Sequence, residues 1–133
     1  MRALTDEQEI TALLTSYATG IDRRDWAMFQ ACFTDDARTD YGSFGVWESA
    51  AQITAFMREA HCAMGYTLHR LGNFVISVQG QRATARTYVD ALLMPGAAGG
   101  EAHRGVGFYD DELVKTEQGW RIRFRRFTAV QVL

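Results

Sequence analysis

The 133-residue chain is poor in residues that break or cross-link a fold, with one proline and two cysteines. Two thiols in a chain of this length do not make a disulfide framework, and the apolar neighbours of Cys32 and Cys62 predict buried free thiols. No apolar run approaches the roughly 20 residues that span a bilayer. The first residues, MRALTDEQEI, also lack the apolar core of a signal peptide. These absences predict a cytoplasmic protein without a membrane partner.

An excess of charge of one sign is also absent, since 14 Lys plus Arg against 16 Asp plus Glu give a formal net charge of −2. This balance offers no basic patch for nucleic acid. No phosphate-binding loop, dinucleotide fingerprint or serine elbow occurs. His61, Cys62 and His69 come nearest to a metal pattern, but adjacent helical positions point about 100° apart and no fourth ligand has a suitable spacing. We therefore expect no metal, no cofactor and no nucleic-acid partner.

Apolar residues, by contrast, are plentiful. Hydrophobic residues make up 47% of the chain and aromatic residues 12%, which is enough for a core and for an apolar pocket. The length fits one compact domain over residues 1–133.

Three capping signals predict helices in the first half of the chain. Thr5 with Gln8 forms a capping box ahead of an apolar stripe of helical period. Asp25 caps a second, short helix, and Ser49 with Gln52 opens a third. The apolar positions assigned to them are Ile10, Leu13, Leu14, Tyr17 and Ile21, then Trp26, Met28, Phe29 and Phe33, then Ile53, Phe56, Met57 and Ala60.

The sequence pattern of the second half of the chain predicts strands. YTLHRLGNFVISV and QRATARTYVDALLM pair through a turn at residues 79–80, a Gly-rich loop spans residues 94–103, and EAHRGVGFYDDELVKT pairs with WRIRFRRFTAVQV. An earlier short strand lies in ARTDYGSFG. In the last strand Trp120, Ile122 and Phe124 alternate with Arg121, Arg123 and Arg125, which predicts one apolar and one cationic face. The fold class is therefore α+β, with helices covering one side of a curved, mainly antiparallel sheet around a pocket.

The segment GIDRRDW places Asp22 directly beside the apolar stripe of the first helix. One interpretation is a solvated helix end, with Arg23 and Arg24 beside it in water. The other is a carboxylate held inside the protein for chemistry, with the two arginines turned outward. His69, in TLHRLGN, likewise is either a structural histidine of a strand or a catalytic base.

The order GIDRRDW, RTDYGSF, TLHRLGN, GWRIRFRR resembles the SnoaL-like, scytalone-dehydratase-like branch of the nuclear transport factor 2 (NTF2-like) superfamily, over nearly the whole chain. The resemblance implies a cone of three N-terminal helices packed in a strongly curved sheet. It implies that Asp22 orients His69 as a general base, and that Tyr41 acts through a water on a substrate carbonyl. Arg125 resembles an arginine on the last strand of a dehydrochlorinase of the same fold.

The chain also departs from that pattern. Scytalone dehydratase has a second pocket histidine where this chain has Met94 or a neighbour, and a Ser and an Asn where Gly107 and Tyr109 stand here. Scytalone itself is therefore not the expected substrate. The candidate substrate-binding residues are Tyr17, Trp26, Phe56, Asn73, Gly107, Tyr109 and Arg125.

Strand geometry bears on two of the assignments near this pocket, those of Arg125 and of the two glycines. Strand alternation puts Arg125 outside unless a bulge intervenes. Gly105 and Gly107 share one face of a strand, where they either widen the pocket or let the sheet bend. His103, beside the Gly-rich loop, is expected on the surface.

These residues predict a cofactor-independent lyase or isomerase. A neutral imidazole oriented by a carboxylate removes a proton from a small hydrophobic, aromatic or polyketide-like substrate, and a dehydratase-like elimination is favoured. The alternative is a non-catalytic ligand-binding or assembly domain, because the superfamily includes both. A homodimer or homotrimer is expected through the outer sheet face, which carries Arg86, Arg121 and Arg123 beside Val130.

Overall fold

The computed structural model describes residues 3–132, in which helices come first and a long sheet follows. The predicted α+β class is confirmed. The helices are α1 (Asp6–Asp22), α2 (Trp26–Gln30) and α3 (Ala50–His61). The strands are β1 (Phe33–Asp40), β2 (Val46–Trp47), β3 (Met64–Gln79), β4 (Arg82–Pro95), β5 (His103–Thr116) and β6 (Gly119–Val132).

The three predicted caps begin the three helices. The Thr5 hydroxyl accepts the Gln8 backbone N–H, and the Gln8 side chain accepts the Thr5 N–H, which completes the capping box of α1. Asp25 accepts the Met28 N–H at the start of α2. Ser49 caps α3 by accepting the backbone N–H of Gln52.

The second helix is shorter than predicted. It ends at Gln30, and Phe33 is the first residue of β1 rather than part of α2. Phe33 is buried in the core and lies opposite Ile122 of β6. Pairing with β6 therefore takes Phe33 out of the helix and into the sheet, which a helical period cannot reveal.

The sheet has six strands in the order β2-β1-β6-β5-β4-β3 and is curved without closing. Strands β3 to β6 form successive antiparallel hairpins, as predicted, and β1 joins the last of them in parallel. The helices cover the concave side, where the apolar stripe of α1 packs into the core through Ile10, Leu14, Tyr17 and Ile21. The predicted cone is confirmed, and the sheet is mainly antiparallel, as predicted, with β1 and β6 as its parallel pair.

A β-bulge in β6 overturns the predicted alternation of its last residues. Ile122 lies opposite Leu113, but Phe124 lies opposite Glu112, so Arg123 is an extra residue in the ladder. Trp120 and Ile122 face the core as expected. Beyond the bulge the faces exchange, because one extra residue shifts a period of two. Arg125, predicted among the exposed arginines, is therefore buried.

Cys32 is buried, but Cys62 is exposed, which corrects the expectation that both thiols are buried. Cys62 caps the C-terminus of α3, where the chain leaves the core to begin β3. Within residues 3–132, no helix has the length and apolar character needed to cross a membrane.

Candidate active site

A cavity of about 210 Å³ lies between the helices and the concave face of the sheet. Its wall is mainly apolar, and aromatic rings form much of it: Tyr17, Tyr41, Phe44, Phe56, Tyr109 and Phe127. All three histidines of the chain, His61, His69 and His103, border the same space. An apolar cavity with a few converging polar groups is the usual form of a small-molecule site.

Asp22 and His69 form a hydrogen-bonded pair at the wall of this cavity. Oδ1 of Asp22 lies 2.7 Å from Nδ1 of His69, and Oδ2 accepts the His69 backbone N–H at 2.8 Å. Their side chains are 19% and 10% exposed, respectively. A carboxylate can only accept, so Nδ1 carries a proton, and in the neutral imidazole Nε2 then holds the free electron pair. The arrangement fixes the imidazole in the tautomer that a general base at Nε2 needs.

The Asp22 carboxylate is held in its charged form. Partial burial raises its pKa, but hydrogen bonds from the His69 ring, the His69 backbone and the Thr67 hydroxyl outweigh burial and lower the pKa below its usual value. The Thr67 hydroxyl donates to Oδ1 at 2.9 Å. Among the described residues no arginine forms an ion pair with Asp22, as the interpretation of a catalytic carboxylate requires.

The two arginines after Asp22 do not both turn outward as expected. Arg23 is exposed, but Arg24 is half-buried and its guanidinium reaches back to β3. The Arg24 side chain turns inward because the backbone of this residue has φ +56° and reverses the chain after α1.

Tyr41 and Tyr17 form a second polar group in the cavity. Their hydroxyl oxygens lie 2.5 Å apart, and both side chains are buried. Burial raises the pKa of each phenol well above its usual value, so both remain protonated. One hydroxyl donates to the other, which leaves one O–H proton of the pair for another acceptor.

Arg125, named from the sequence as a candidate substrate-binding residue, lies behind the cavity wall rather than in it. Its Nε and Nη2 donate to the two carboxylate oxygens of Asp111 at 2.7 and 2.9 Å. The guanidinium is stacked between Tyr17 and Tyr109, 4.1 and 3.9 Å from their ring centroids. Complete burial raises the pKa of Asp111, yet the two-point geometry is that of an ionised pair. Arg125 thus supports two rings of the wall from outside the cavity.

The other candidate residues divide between the cavity and its surroundings. Tyr17, Phe56 and Tyr109 line the cavity, as predicted. Trp26 does not, because it packs edge-on against Phe29 and beside the outer side of His61. Asn73 is exposed in the β3 bulge with φ +51°, where its tolerance of a left-handed backbone accounts for it.

The two glycines of β5 have different environments. A Cβ on Gly105 meets nothing within 4 Å, and Gly105 borders the cavity, so it leaves room there. A Cβ on Gly107 lies 2.1 Å from the backbone oxygen of Thr128. Gly107 therefore permits close approach of β6 at a bulge, and it is not among the residues that line the cavity.

His61 is the cavity residue that sequence reasoning missed. Its Nδ1 lies 2.7 Å from the carbonyl oxygen of Met57, and its ring centroid lies 6.0 Å from that of His69. Burial lowers the pKa of His61, so the ring is neutral near pH 7. The spacing of Ile53, Met57 and His61 by four residues is the signal that places His61 on the buried face of α3.

Met94, which stands near the position of the second pocket histidine of scytalone dehydratase, is 40% exposed, and its neighbour Leu93 lines the cavity. His103 is exposed, as expected, and also borders the cavity at its rim. Within residues 3–132, no three His, Cys, Asp or Glu side chains cluster as a metal site requires.

Comparison with known proteins agrees with this architecture. The chain is 31% identical over 121 residues to the uncharacterized protein Rv2910c of Mycobacterium tuberculosis, covering 90% of this chain and 82% of that one. A scytalone-dehydratase-like protein of Novosphingobium aromaticivorans superposes with a TM-score of 0.89 at 18% identity, over 96% and 86% of the chains. A hexachlorocyclohexane dehydrochlorinase (LinA, type 2) superposes with a TM-score of 0.84 at 16% identity, over 94% and 85%.

At these identities the two structures show the shared fold alone. The family itself is shown by sequence, because the model of the SnoaL-like domain matches residues 2–126. The resemblance drawn from GIDRRDW, RTDYGSF and TLHRLGN is thereby confirmed, and the chain belongs to the SnoaL-like domain family.

Proposed function

We propose that this protein is a cofactor-independent lyase or isomerase in which His69, oriented by Asp22, removes a proton from a small hydrophobic substrate. One observation carries the proposal, namely the 2.7 Å hydrogen bond between Asp22 and His69 at the wall of an apolar cavity. The carboxylate fixes the imidazole tautomer and stabilises the imidazolium that forms. A base placed in this way typically contributes about 10²–10⁴-fold in rate.

The reaction begins at a carbon next to a substrate carbonyl. Nε2 of His69 takes the proton, and the electron pair of the C–H bond moves toward the carbonyl oxygen. The O–H proton that the Tyr17–Tyr41 hydrogen bond does not use is donated to that oxygen and stabilises its negative charge. Both phenols stay protonated because burial raises their pKa, so the donor is present when the charge develops.

The imidazolium of His69 then returns its proton. In an elimination the electron pair collapses to a carbon–carbon double bond, the bond to the leaving hydroxyl breaks, and His69 protonates it to water. In an isomerisation the same proton goes to another carbon. His61 does not supply this proton, because its Nδ1–H is bound to the Met57 carbonyl and its Nε2 only accepts. His61 instead accepts a hydrogen bond from a substrate hydroxyl.

Elimination is the preferred outcome. The scytalone-dehydratase-like protein and the dehydrochlorinase that share the fold are both named for eliminations. The cavity also sets the substrate size, because a dry cavity of about 150 Å³ binds benzene and this one measures about 210 Å³. An aromatic or polyketide-like compound of one or two rings fits that space.

The test is proton exchange in deuterated water. One- and two-ring ketones with an acidic C–H and a β-hydroxyl are incubated with the protein, and ¹H NMR detects loss of the C–H signal or of the hydroxyl. Wild-type protein should exchange or eliminate, and His69→Gln should not. Arg23→Gln, at the exposed position next to Asp22, is the control and should remain active.

A second candidate function is ligand binding without chemistry. The apolar wall of the cavity favours it, since such a surface binds a ring compound whether or not a proton moves. Compounds that bind the wild type without any exchange above the His69→Gln background would support this function and contradict the enzyme.

A further inference from the structure

Arg24 adopts a backbone conformation that its residue type disfavours. It has φ +56°, and the only other described non-glycine residue with positive φ is Asn73, whose short amide tolerates it. A glycine would take this conformation without strain, and glycine is the usual residue where a chain leaves a helix in this way. An arginine in a strained backbone conformation indicates that its side chain has a function.

The guanidinium of Arg24 makes three hydrogen bonds. Nη1 donates to the Thr67 hydroxyl at 2.7 Å and to the Ile21 carbonyl at 3.0 Å, and Nη2 donates to the Gly65 carbonyl at 2.7 Å. Two of these partners lie at the start of β3, two and four residues before His69. The side chain therefore joins the end of α1 to the strand that carries the proposed base.

The bond to Thr67 also fixes the direction of the Thr67 proton. A guanidinium can only donate, so the hydroxyl oxygen accepts from Arg24, and its single proton is directed at Oδ1 of Asp22, 2.9 Å away. Thr67 is buried, so water does not compete for that proton. Oδ1 thus receives the Thr67 proton together with the Nδ1–H of His69.

We infer that Arg24 is a positioning residue for the Asp22–His69 pair, acting through the Thr67 hydroxyl. It holds Thr67 as a donor, and Thr67 holds the carboxylate in the plane that meets Nδ1 of His69. The inference rests on the proposed function, since a positioned base has a purpose only if His69 removes a proton. Arg24 itself does not border the cavity and touches no substrate.

The test reads the imidazole directly and needs no substrate. Long-range ¹H–¹⁵N spectra of the histidine-labelled full chain report which ring nitrogen of His69 is protonated, and solvent exchange of the Nδ1–H reports how firmly it is held. Two variants interrupt the chain of hydrogen bonds. Arg24→Gly removes the guanidinium and relieves the backbone, and Thr67→Val removes the hydroxyl at nearly constant shape.

Each variant has a matched control. Arg23→Gly makes the same change at the exposed neighbour, and Thr67→Ser keeps the hydroxyl. We expect the wild type and both controls to show a protonated, slowly exchanging Nδ1. Arg24→Gly and Thr67→Val should show mixed tautomers and Nδ1–H exchange that is about tenfold faster, because a charge-assisted bond in the chain is lost.

The spectra distinguish failure of the positioning role from failure of the proposed function. If the wild type itself shows His69 protonated at Nε2, or if Asp22→Asn leaves its ring spectrum unchanged, the pair is not formed and the proposed function fails. If the wild-type pair is present but Arg24→Gly or Thr67→Val keeps it within twofold of wild type, the positioning role is overturned and the proposed function stands. A purely structural Arg24 would change the melting temperature and leave the His69 ring spectrum as it is.

Discussion

Asp22 holds His69 at two points across 47 positions of the chain, with Oδ1 on the ring Nδ1 at 2.7 Å and Oδ2 on the backbone N–H at 2.8 Å. Asp22→Asn keeps the size but loses the charge and permits the wrong imidazole tautomer. The same change in a hydrolase triad lowers turnover about 10⁴-fold. Here we expect a loss of about 10²–10³-fold, because no covalent step is involved.

The kinetic signature of this pair is non-additivity. His69→Gln should lose about as much rate as Asp22→Asn, and the double variant little more, because the two residues act as one unit. Initial rates of elimination or deuterium exchange measure this. Asp25→Asn is the control, since asparagine also caps α2 and activity should be kept. Full activity in Asp22→Asn would rule out the orienting role.

The Arg125–Asp111 pair under the cavity should be important for stability. The Arg125 side chain is 1% exposed, so Arg125→Met leaves the Asp111 carboxylate buried without a partner. Breaking a buried pair in this way costs about 3–5 kcal/mol of unfolding free energy. Replacing both residues, by Met and Leu, should cost less than the single change. Urea denaturation measures both.

The exposed pair Arg86–Asp110 provides the comparison. It has the same two-point geometry, at 2.7 and 3.0 Å, but water screens it. Arg86→Met should therefore change stability far less than Arg125→Met. Equal losses from the two single variants would show that burial does not govern the Arg125 pair.

The burial of Arg125 also shows what a sequence pattern cannot reveal. Strict alternation in WRIRFRRF puts Arg125 outside with Arg121 and Arg123, and only the extra residue of the bulge at Arg123 brings it inside. The helix starts at Thr5, Asp25 and Ser49 were predictable, because a cap depends on residues three apart in the chain. A bulge depends on the partner strand, which a single sequence does not identify.

The candidate site likewise contains residues that the local sequence predicts and residues that it does not. Local pattern left Asp22 open between a solvated and an internal carboxylate, and only the family resemblance related it to His69. The spacing on α3 predicts that His61 is buried, although the sequence pattern around it suggests only a metal ligand. The inward orientation of Arg24 could not be predicted from the sequence. It follows from a positive φ, which an arginine backbone disfavours.

Gly105 and Gly107 should respond oppositely to the same substitution. Gly107→Ala forces a Cβ against the Thr128 carbonyl oxygen at 2.1 Å, and such overpacking costs about 1–3 kcal/mol. Gly105→Ala faces open space and should stay within about 0.5 kcal/mol of wild type. Thermal unfolding of the two variants measures the difference.

Gly105→Leu extends the same argument to the cavity. The larger side chain enters the space that Gly105 leaves open, so it should weaken binding of a two-ring probe such as 2-naphthol while the protein stays folded. Fluorescence titration of the probe reads the affinity. Unchanged binding in a folded Gly105→Leu would place the ligand elsewhere.

We propose that the outer sheet face forms a homodimer or homotrimer. Tyr88, which is 52% exposed, lies opposite Phe108 on the neighbouring strand, and the paired charges of Arg86–Asp110 and Arg104–Asp90 flank them. An apolar centre with a charged rim is typical of an interface. Light scattering at micromolar concentration should show an oligomer, and Tyr88→Glu should dissociate it. Leu4→Glu, at an exposed position outside the sheet, controls for added charge.

His61 should make stability depend on pH. Burial lowers its pKa in the folded protein; the positive charge of Arg24 acts in the same direction, and the hydrogen bond to the Met57 carbonyl and the Asp22 carboxylate act against it. The unfolded chain then binds the His61 proton more readily than the folded protein does. Unfolding free energy therefore keeps its full value above the ordinary histidine pKa of 6.5 and falls as the pH drops below it.

His61→Gln cannot take up that proton, so its unfolding free energy should fall less between pH 7.5 and 5.5, a window chosen about one unit either side of the ordinary value. Urea titrations at the two pH values measure the slope. An unchanged slope in His61→Gln would mean that the His61 ring is protonated as easily in the folded protein as in the unfolded chain.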